Sequence, residues 1–339
     1  MTESPASSRS IAILGTGRIG KMHADIVTQR IPGLHVASVY DVFTEGAQAV
    51  ADSIGCARAE SVEEIMASDV DAVAICSSTD THVDLTVAAA EAGKAIFLEK
   101  PVSLNLAEVD RAVAAINAAG VPIQIGFNRR FDPSHAAVQA AVANGDIGEL
   151  HMVKITSRDP EPPPIEYVKV SGGMFCDMTI HDFDMARFVT GSEIVEVFAK
   201  AANRVDPAIG EAGDVDTAML ILTHADGTLT YIDNSRKAVY GYDQRVEAFG
   251  SGGMVASENP RAHSAQLHSA AGTRLEPVPY FFLERYEASY FNEWLAFVEG
   301  LASGSMPLGI DDGRAPLVAG LAALKSVEEG RPVKISEIS

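Results

Sequence analysis

The chain has 339 residues, of which 47% are hydrophobic and 21% charged, and its formal net charge is −20. That length favours two domains, and the apolar fraction is enough to pack a core in each. A charge of that sign argues against nucleic-acid and anionic-membrane partners, which need a basic footprint, while a few local donors can still hold an anionic cofactor.

The opening "MTESPASSRS" lacks the apolar core of a secretory signal and reads as a short polar tail. No apolar run approaches membrane-spanning length. Cys56, Cys76 and Cys176 are far apart in sequence with no CxxC pattern, which fits free thiols in a reducing compartment, so a cytoplasmic location is expected.

From "SIAIL" onward, short apolar runs alternate with helical patterns. The runs are "SIAIL", "LHVASVYD", "DAVAICS", "AIFLEK" and "PIQIGF", and the helices fall near 19–29, 44–53, 80–92 and 106–119. Runs apolar throughout suit strands buried on both faces of a parallel sheet, and strand–helix alternation is the doubly wound α/β pattern. After Phe127 the rhythm changes. A helix near 133–143 precedes "LHMVKITSR", the Pro-rich "DPEPPP", a helical stretch at 172–191 and several long strand-like runs, with a hairpin signal at "ADG". Two helical patterns ending in glycine close the chain. The expected architecture is a nucleotide-binding α/β domain over 1–127 and an α+β domain over 128–339 with a large open, mainly antiparallel or mixed sheet.

"GTGRIG" places Gly15, Gly17 and Gly20 in G-x-G-x-x-G spacing between an apolar strand and a helix. There the helix's first amides can face a pyrophosphate without Cβ atoms in the way, with Arg18 and Ile19 alongside. Asp41 ends the second strand about 20 residues further on, where a carboxylate accepts from both ribose hydroxyls and repels a 2′-phosphate. The expected cofactor is therefore NAD rather than NADP. Ser78, Thr79 and His82, after the third main strand, and Glu99 and Lys100, at the end of the fourth, lie where such sheets bind ligands. His23, inside the first helix, reads as a packing residue.

"FLEKPVSL", following such a glycine-rich strand–helix unit, resembles the glucose–fructose oxidoreductase / inositol dehydrogenase / rhizopine catabolism family, over nearly the whole chain. "GGMFCDMTIHDFDMARF", "GFNRRFD" and "DNSRKAVYGYDQRVEAFG" are similar to its inositol-oxidising subgroup. The resemblance implies a Rossmann domain holding NAD, a second domain supplying the substrate pocket, and a homodimer or homotetramer joined through the second sheet. It places the catalytic lysine on Lys100, the aspartate on Asp177 and the histidine on His181, and it implies a cis bond between Lys100 and Pro101. The implied reaction is oxidation of a cyclic polyol hydroxyl to a ketone, with myo-inositol the first expectation. Another inositol isomer or a sugar is the alternative, and a dinucleotide-sensing module without turnover is the second.

On one helix at about 100° per residue, Asp177, His181 and Asp184 share a narrow arc, while Asp182 points roughly 140° away. Met178, Met185 and Val189 form a core stripe. Such a polar edge also fits an ordinary cap at Asp177 and a surface pair of His181 with Asp184. In the enzymatic reading, His181 takes a hydroxyl proton, Asp177 orients the ring, and Lys100 stabilises negative charge on the same oxygen. A metal on His181 and the aspartates is the competing reading, and no metal is expected because no further His or Cys joins them in sequence. Asn128, Arg129, Asp159 and Tyr240 are expected at the substrate, with Tyr242 the alternative to Tyr240, and Arg130 and Arg158 in structural ion pairs.

Overall fold

The computed structural model describes residues 8–338. The polar tail at 1–7 lies outside them. The chain forms two compact units. One holds the residues up to Asn128 together with Ala288–Ala315, and the other holds Arg129–Glu287 with the residues from Pro316 on. The boundary expected at 127/128 therefore misses a return of the chain: residues 288–315, assigned from sequence to the second domain, pack with the first.

In chain order, the first unit runs β1 (Arg9–Leu14), α1 (Arg18–Arg30), β2 (Leu34–Tyr40), α2 (Thr44–Ile54), β3 (Ala57–Arg58), α3 (Val62–Ala67), β4 (Ala72–Ile75), α4 (His82–Glu91), β5 (Ala95–Glu99), α5 (Leu106–Ala119) and β6 (Ile123–Gly126). Its six strands are all parallel in the order β3-β2-β1-β4-β5-β6. This is the doubly wound Rossmann order, which reverses direction between β1 and β4 and opens a ligand crevice at their carboxyl ends. The apolar runs are buried as expected, with β1 from Ile11 to Leu14 and all of β4 inaccessible to solvent. The short β3 and α3 carry too little pattern to be read from sequence.

The second unit contains α6 (Pro133–Ala143), β7 (Leu150–Arg158), α7 (Ile165–Val168), α8 (Gly173–Asp177), α9 (Ile180–Thr190), β8 (Ile194–Ala202), α10 (Pro207–Glu211), β9 (Thr217–His224), β10 (Leu229–Ser235), β11 (Asp243–Gly250), β12 (Gly253–Ser257), the hairpin β13 (Gln266–Ser269) and β14 (Gly272–Leu275), and α11 (Phe282–Arg285). Then α12 (Glu287–Ser303) lies almost wholly in the first unit, α13 (Ile310–Glu329) counts with the second from Pro316 on, and β15 (Val333–Lys334) ends the sheet. α6 starts on a strong signal: Asp132 caps it by accepting from Ser134 and His135 amides, and Pro133 fills the first turn.

The seven-stranded sheet has the order β12-β11-β7-β10-β9-β8-β15. It is mixed, because β10 runs parallel to β7 while the other neighbours are antiparallel. One face carries Val153, Ile155, Leu220, Leu222, Ile232 and Val246 into a core closed by Phe175, Phe183, Met185 and Val189 of the helices. Met178, Met185 and Val189 are core, as their spacing indicates.

The stretch 172–191 is two helices rather than one. The Met178 and Thr179 amides both donate to the Met174 carbonyl, and the Thr179 hydroxyl is drawn to Asn234 Oδ1 at 2.7 Å. Helical bonding lapses between Asp177 and Ile180 and resumes in α9, which stops at Gly191 in the left-handed region.

Candidate active site

In the first unit the glycine loop is built for close approach. Gly15 has φ +96°, and a Cβ there would strike the backbone of Cys76 and Ser77, while one at Gly20 would land on the Gly15 carbonyl. A Cβ at Gly17 meets nothing within 4 Å. Gly17 caps α1 without a side-chain hydrogen bond, and no acid stands in the first turn beside Arg18 and Ile19. Open space at Gly17 and a first turn without an acid fit a dinucleotide pyrophosphate.

Asp41 stands at the end of β2. Its Oδ2 accepts from the Thr16 amide at 2.6 Å and from the Thr16 hydroxyl at 3.1 Å, and its Oδ1 accepts from the Phe43 amide at 2.9 Å. The carboxylate thus ties the glycine loop to the strand end, and the lone pairs left over suit a ribose. Asp41→Ser is expected to narrow or invert the preference for NAD over NADP, as measured by the ratio of kcat/KM with each, because it removes both the ribose acceptor and the charge that repels a 2′-phosphate. Wild-type protein preferring NADP would refute the assignment.

Ser78 is exposed and Thr79 half-buried at a short turn ahead of α4. Glu99 ends β5 and Lys100 follows it, both partly exposed, and the Lys100–Pro101 bond is cis, matching the expectation. His82 departs from its expected place at the cofactor. Its ring is buried, with Nδ1 2.8 Å from the Pro101 carbonyl and Nε2 3.1 Å from the Ser77 carbonyl, so both nitrogens are engaged by the main chain. Asn128 is also buried, and it bonds Ser289 through both its carbonyl and its side chain.

The second unit gathers a polar cluster at one end of its sheet. β7 and β10 run parallel and in register, Ser235 beside Arg158, so the residues just past both strand ends meet. These are Asp159 and Arg236. Arg236 Nη1 lies 3.1 Å from Asp177 Oδ2 and 3.5 Å from Asp159 Oδ2, and Nη2 lies 4.0 Å from Asp214 Oδ2. The Tyr167 hydroxyl donates to Asp177 Oδ1 at 2.9 Å. Asp177 is therefore held from both sides, and His181 stands in the first turn of the next helix. Sequence reasoning missed Arg236 and Tyr167. The one available signal was the repeated ending of two strands, Ser157-Arg158-Asp159 and Ser235-Arg236-Lys237, which becomes meaningful only once those strands are known to be parallel neighbours.

Three carboxylates share this one buried guanidinium. Burial pushes the Asp159 carboxyl up to about 6, against the pull of Arg236, and the Asp177 charge adds to the rise. The folded state thus binds a proton on Asp159 more tightly than the unfolded chain does. Asp159 contributes most below about pH 4 and becomes a liability as pH rises through 6. Asp159→Asn is expected to raise the unfolding free energy at pH 7 by about 1–3 kcal/mol and to show no gain near pH 4. Melting temperatures of both proteins across pH 4–8 check this, and an equal shift at every pH would refute it.

The remaining candidates occupy structural pairs. Arg129 is buried, donating through Nη1 to Asp182 Oδ1 at 2.8 Å and to the Ser157 hydroxyl at 2.9 Å, with Nη2 3.5 Å from the Tyr242 hydroxyl. The substrate role expected for it meets a side chain already occupied. Asp184 does not share an open edge with Asp177, because Arg130 grips it in a fork with Nη2–Oδ1 at 2.6 Å. Arg158 pairs with Asp233 at 2.5 and 2.9 Å. Tyr240 is half exposed, and its hydroxyl bridges Asp243 at 2.6 Å and Arg158 at 3.0 Å, whereas Tyr242 is buried.

Two family models match in sequence order: the oxidoreductase family with NAD-binding Rossmann fold over residues 9–127, and the GFO/IDH/MocA C-terminal domain over residues 135–256. The myo-inositol 2-dehydrogenase of Thermotoga maritima is 47% identical, covering 97% of this chain and 99% of that protein. A myo-inositol dehydrogenase structure from Corynebacterium glutamicum superposes with TM-score 0.93 at 43% identity, covering 96% of this chain and 98% of that one. A scyllo-inositol dehydrogenase from Lactobacillus casei, solved with bound NAD(H) and scyllo-inositol, superposes with TM-score 0.90 at 28% identity, covering 97% and 99%. With both halves matched and such relatives spanning almost its whole length, this chain belongs to the GFO/IDH/MocA family of NAD-binding oxidoreductases.

Proposed function

We propose that the protein oxidises one hydroxyl of a cyclic polyol to a ketone, with myo-inositol the preferred substrate. The observation that carries this reading is the cluster of Asp159, Tyr167, Asp177, Asp214 and Arg236. It mixes hydrogen-bond donors and acceptors but holds more carboxylates than cations. A neutral ring of hydroxyls suits such a surface, whereas the carboxylate of a 2-hydroxy acid would be repelled. The names of the relatives supply the choice of polyol.

NAD, when bound, supplies the hydride acceptor. His181 takes the hydroxyl proton as general base. Asp177, itself fixed by Tyr167 and Arg236, stabilises the imidazolium that results. Lys100, on which the family resemblance places the catalytic lysine, supplies a cationic donor able to lower the cost of negative charge on a reacting oxygen. Asp159 serves as a further hydroxyl partner. A polyol panel followed by NADH formation tests the reading. Turnover of myo-inositol with poor turnover of lactate, malate and simple secondary alcohols is expected, because a site that hydrogen-bonds hydroxyls rejects analogues leaving its groups unpaired. Faster turnover of scyllo-inositol or a sugar would move the assignment within the class. Turnover of a short hydroxy acid alone would overturn it.

The outer face of the large sheet supports assembly through a second copy of the chain. Cross-strand neighbours Leu229, Met152, Phe249 and Met254 form an exposed row, with Met219 and Ile221 on the same face. An apolar patch of this extent marks an interaction surface. Light scattering on wild type and Ile221→Glu checks it, and a monomeric wild type would refute it. Among the described residues no helix is long and apolar enough to cross a membrane. The three thiols are free, which supports a reducing, cytoplasmic setting.

A further inference from the structure

Two fully buried histidines flank the segment that carries Lys100. His23, on the inner face of α1, has Nδ1 2.9 Å from the indole Nε1 of Trp294 and Nε2 2.7 Å from Glu99 Oε1. An indole N–H only donates. His23 Nδ1 is therefore the acceptor, and the ring proton sits on Nε2 and points at Glu99. The other oxygen, Glu99 Oε2, accepts the main-chain N–H of Lys100 at 3.2 Å. Phe97, Tyr290 and Trp294 box the imidazole edge-on, with centroids 5.1, 5.7 and 5.5 Å away. Nearby Glu293 is wholly buried, and burial, then the Glu99 charge, raise its pKa well above the usual range.

On the far side of Lys100 stands His82, at the start of α4. Two carbonyls face its ring, but burial lowers its pKa, so one proton must serve both. The nearer contact, from Nδ1 to the Pro101 carbonyl, takes it.

We propose that His23 and His82 are positioning residues that fix the main chain on both sides of Lys100. His23 acts through Glu99 on the Lys100 amide, and His82 acts directly on the Pro101 carbonyl. A lysine amine on a flexible four-carbon stem is aimed largely by where its backbone is held, and catalytic groups tolerate displacements of only about 0.5 Å. The consequence for catalysis rests on the role given to Lys100 above, but the clamp itself does not.

The test compares His23→Leu with His23→Gln and His82→Leu with His82→Asn. The glutamine amide keeps a donor close to Nε2, the asparagine amide keeps one close to Nδ1, and leucine fills the volume with neither. Hydrogen exchange of peptides spanning residues 97–105, read by mass spectrometry, needs no substrate. Loss of one hydrogen bond is expected to speed exchange there about tenfold in each leucine variant, with most of the protection kept in the amide variants. In steady-state assays kcat is expected to fall about tenfold in the leucine variants, with NAD affinity and KM held, and to recover in the amide variants. A role in packing alone predicts the reverse order, because leucine suits an aromatic box better than an amide does. Wild-type exchange in both leucine variants overturns the clamp. Faster exchange with unchanged kcat overturns its part in catalysis. If the wild type oxidises no polyol, the proposed function fails while exchange still decides the clamp. Should His23→Leu not fold, Glu99→Leu cuts the link from His23 to the Lys100 amide while keeping the aromatic box, and unchanged exchange there overturns the His23 half of the clamp.

Discussion

His181→Ala is expected to lower kcat about a hundredfold or more, the usual range for loss of a general base, while leaving the NAD dissociation constant unchanged. The substitution touches the second unit only, and the glycine loop and Asp41, which fit the dinucleotide, belong to the first. With the general base gone, the variant's rate should follow hydroxide and narrow the gap to wild type at alkaline pH. Asp177→Asn should act in the same direction and more mildly. An asparagine still accepts one bond from Tyr167 or Arg236 but no longer stabilises an imidazolium. Steady-state rates across pH with saturating myo-inositol, together with calorimetric NAD titration, check both variants. A His181→Ala protein with near-normal turnover would reduce α9 to a packing helix whose histidine merely pairs at its surface.

The first unit was legible because its signals are local. The Gly15, Gly17 and Gly20 spacing, the apolar runs and the acidic strand end at Asp41 each lie within a few residues, and a parallel doubly wound sheet follows from their order. What was not legible depends on contacts far apart in sequence. Nothing around Trp294 indicates that it bonds His23, so residues 288–315 were placed with the wrong neighbours, and His23 was read as packing when it donates to Glu99. In the second unit, Asp177 and His181 were singled out by resemblance and by spacing. The one-helix geometry used for them failed at Thr179, whose hydroxyl bonds a strand 55 residues away in sequence. Arg236 escaped notice for the same reason. Its meaning depends on β10 lying parallel beside β7, and a pattern read as hairpins does not suggest that pairing. Asp182 is buried beneath Arg129, in a separate helix from Asp177.

Arg129→Met is expected to destabilise the protein by about 3–5 kcal/mol, the range for removing one partner of a buried ion pair. Asp182 is inaccessible to solvent and accepts from Arg129 at 2.8 Å, from the Ser157 hydroxyl at 2.5 Å and from Asn234 Nδ2 at 2.7 Å. Burial opposes both charges, and these donors together with the Arg129 charge offset that cost. Methionine keeps much of the volume but leaves the carboxylate with two neutral donors in a low-dielectric setting, so Asp182 must stay charged at a penalty or take up a proton. Asp182 also joins β7 through Ser157, β10 through Asn234 and α9 through its own backbone, so its strain reaches the elements that carry Asp159, Arg236 and His181. A fall in melting temperature on the order of 10 °C is expected for a unit of this size. Arg129→Met combined with Asp182→Asn should recover part of it, because no unpaired charge then remains buried. KM for the polyol should change little in whatever fraction stays folded. If Arg129 instead contacts the substrate, as its place after β6 suggested, the single variant will melt like the wild type and show a raised KM. Thermal melts and steady-state kinetics on the same preparations distinguish the two outcomes directly.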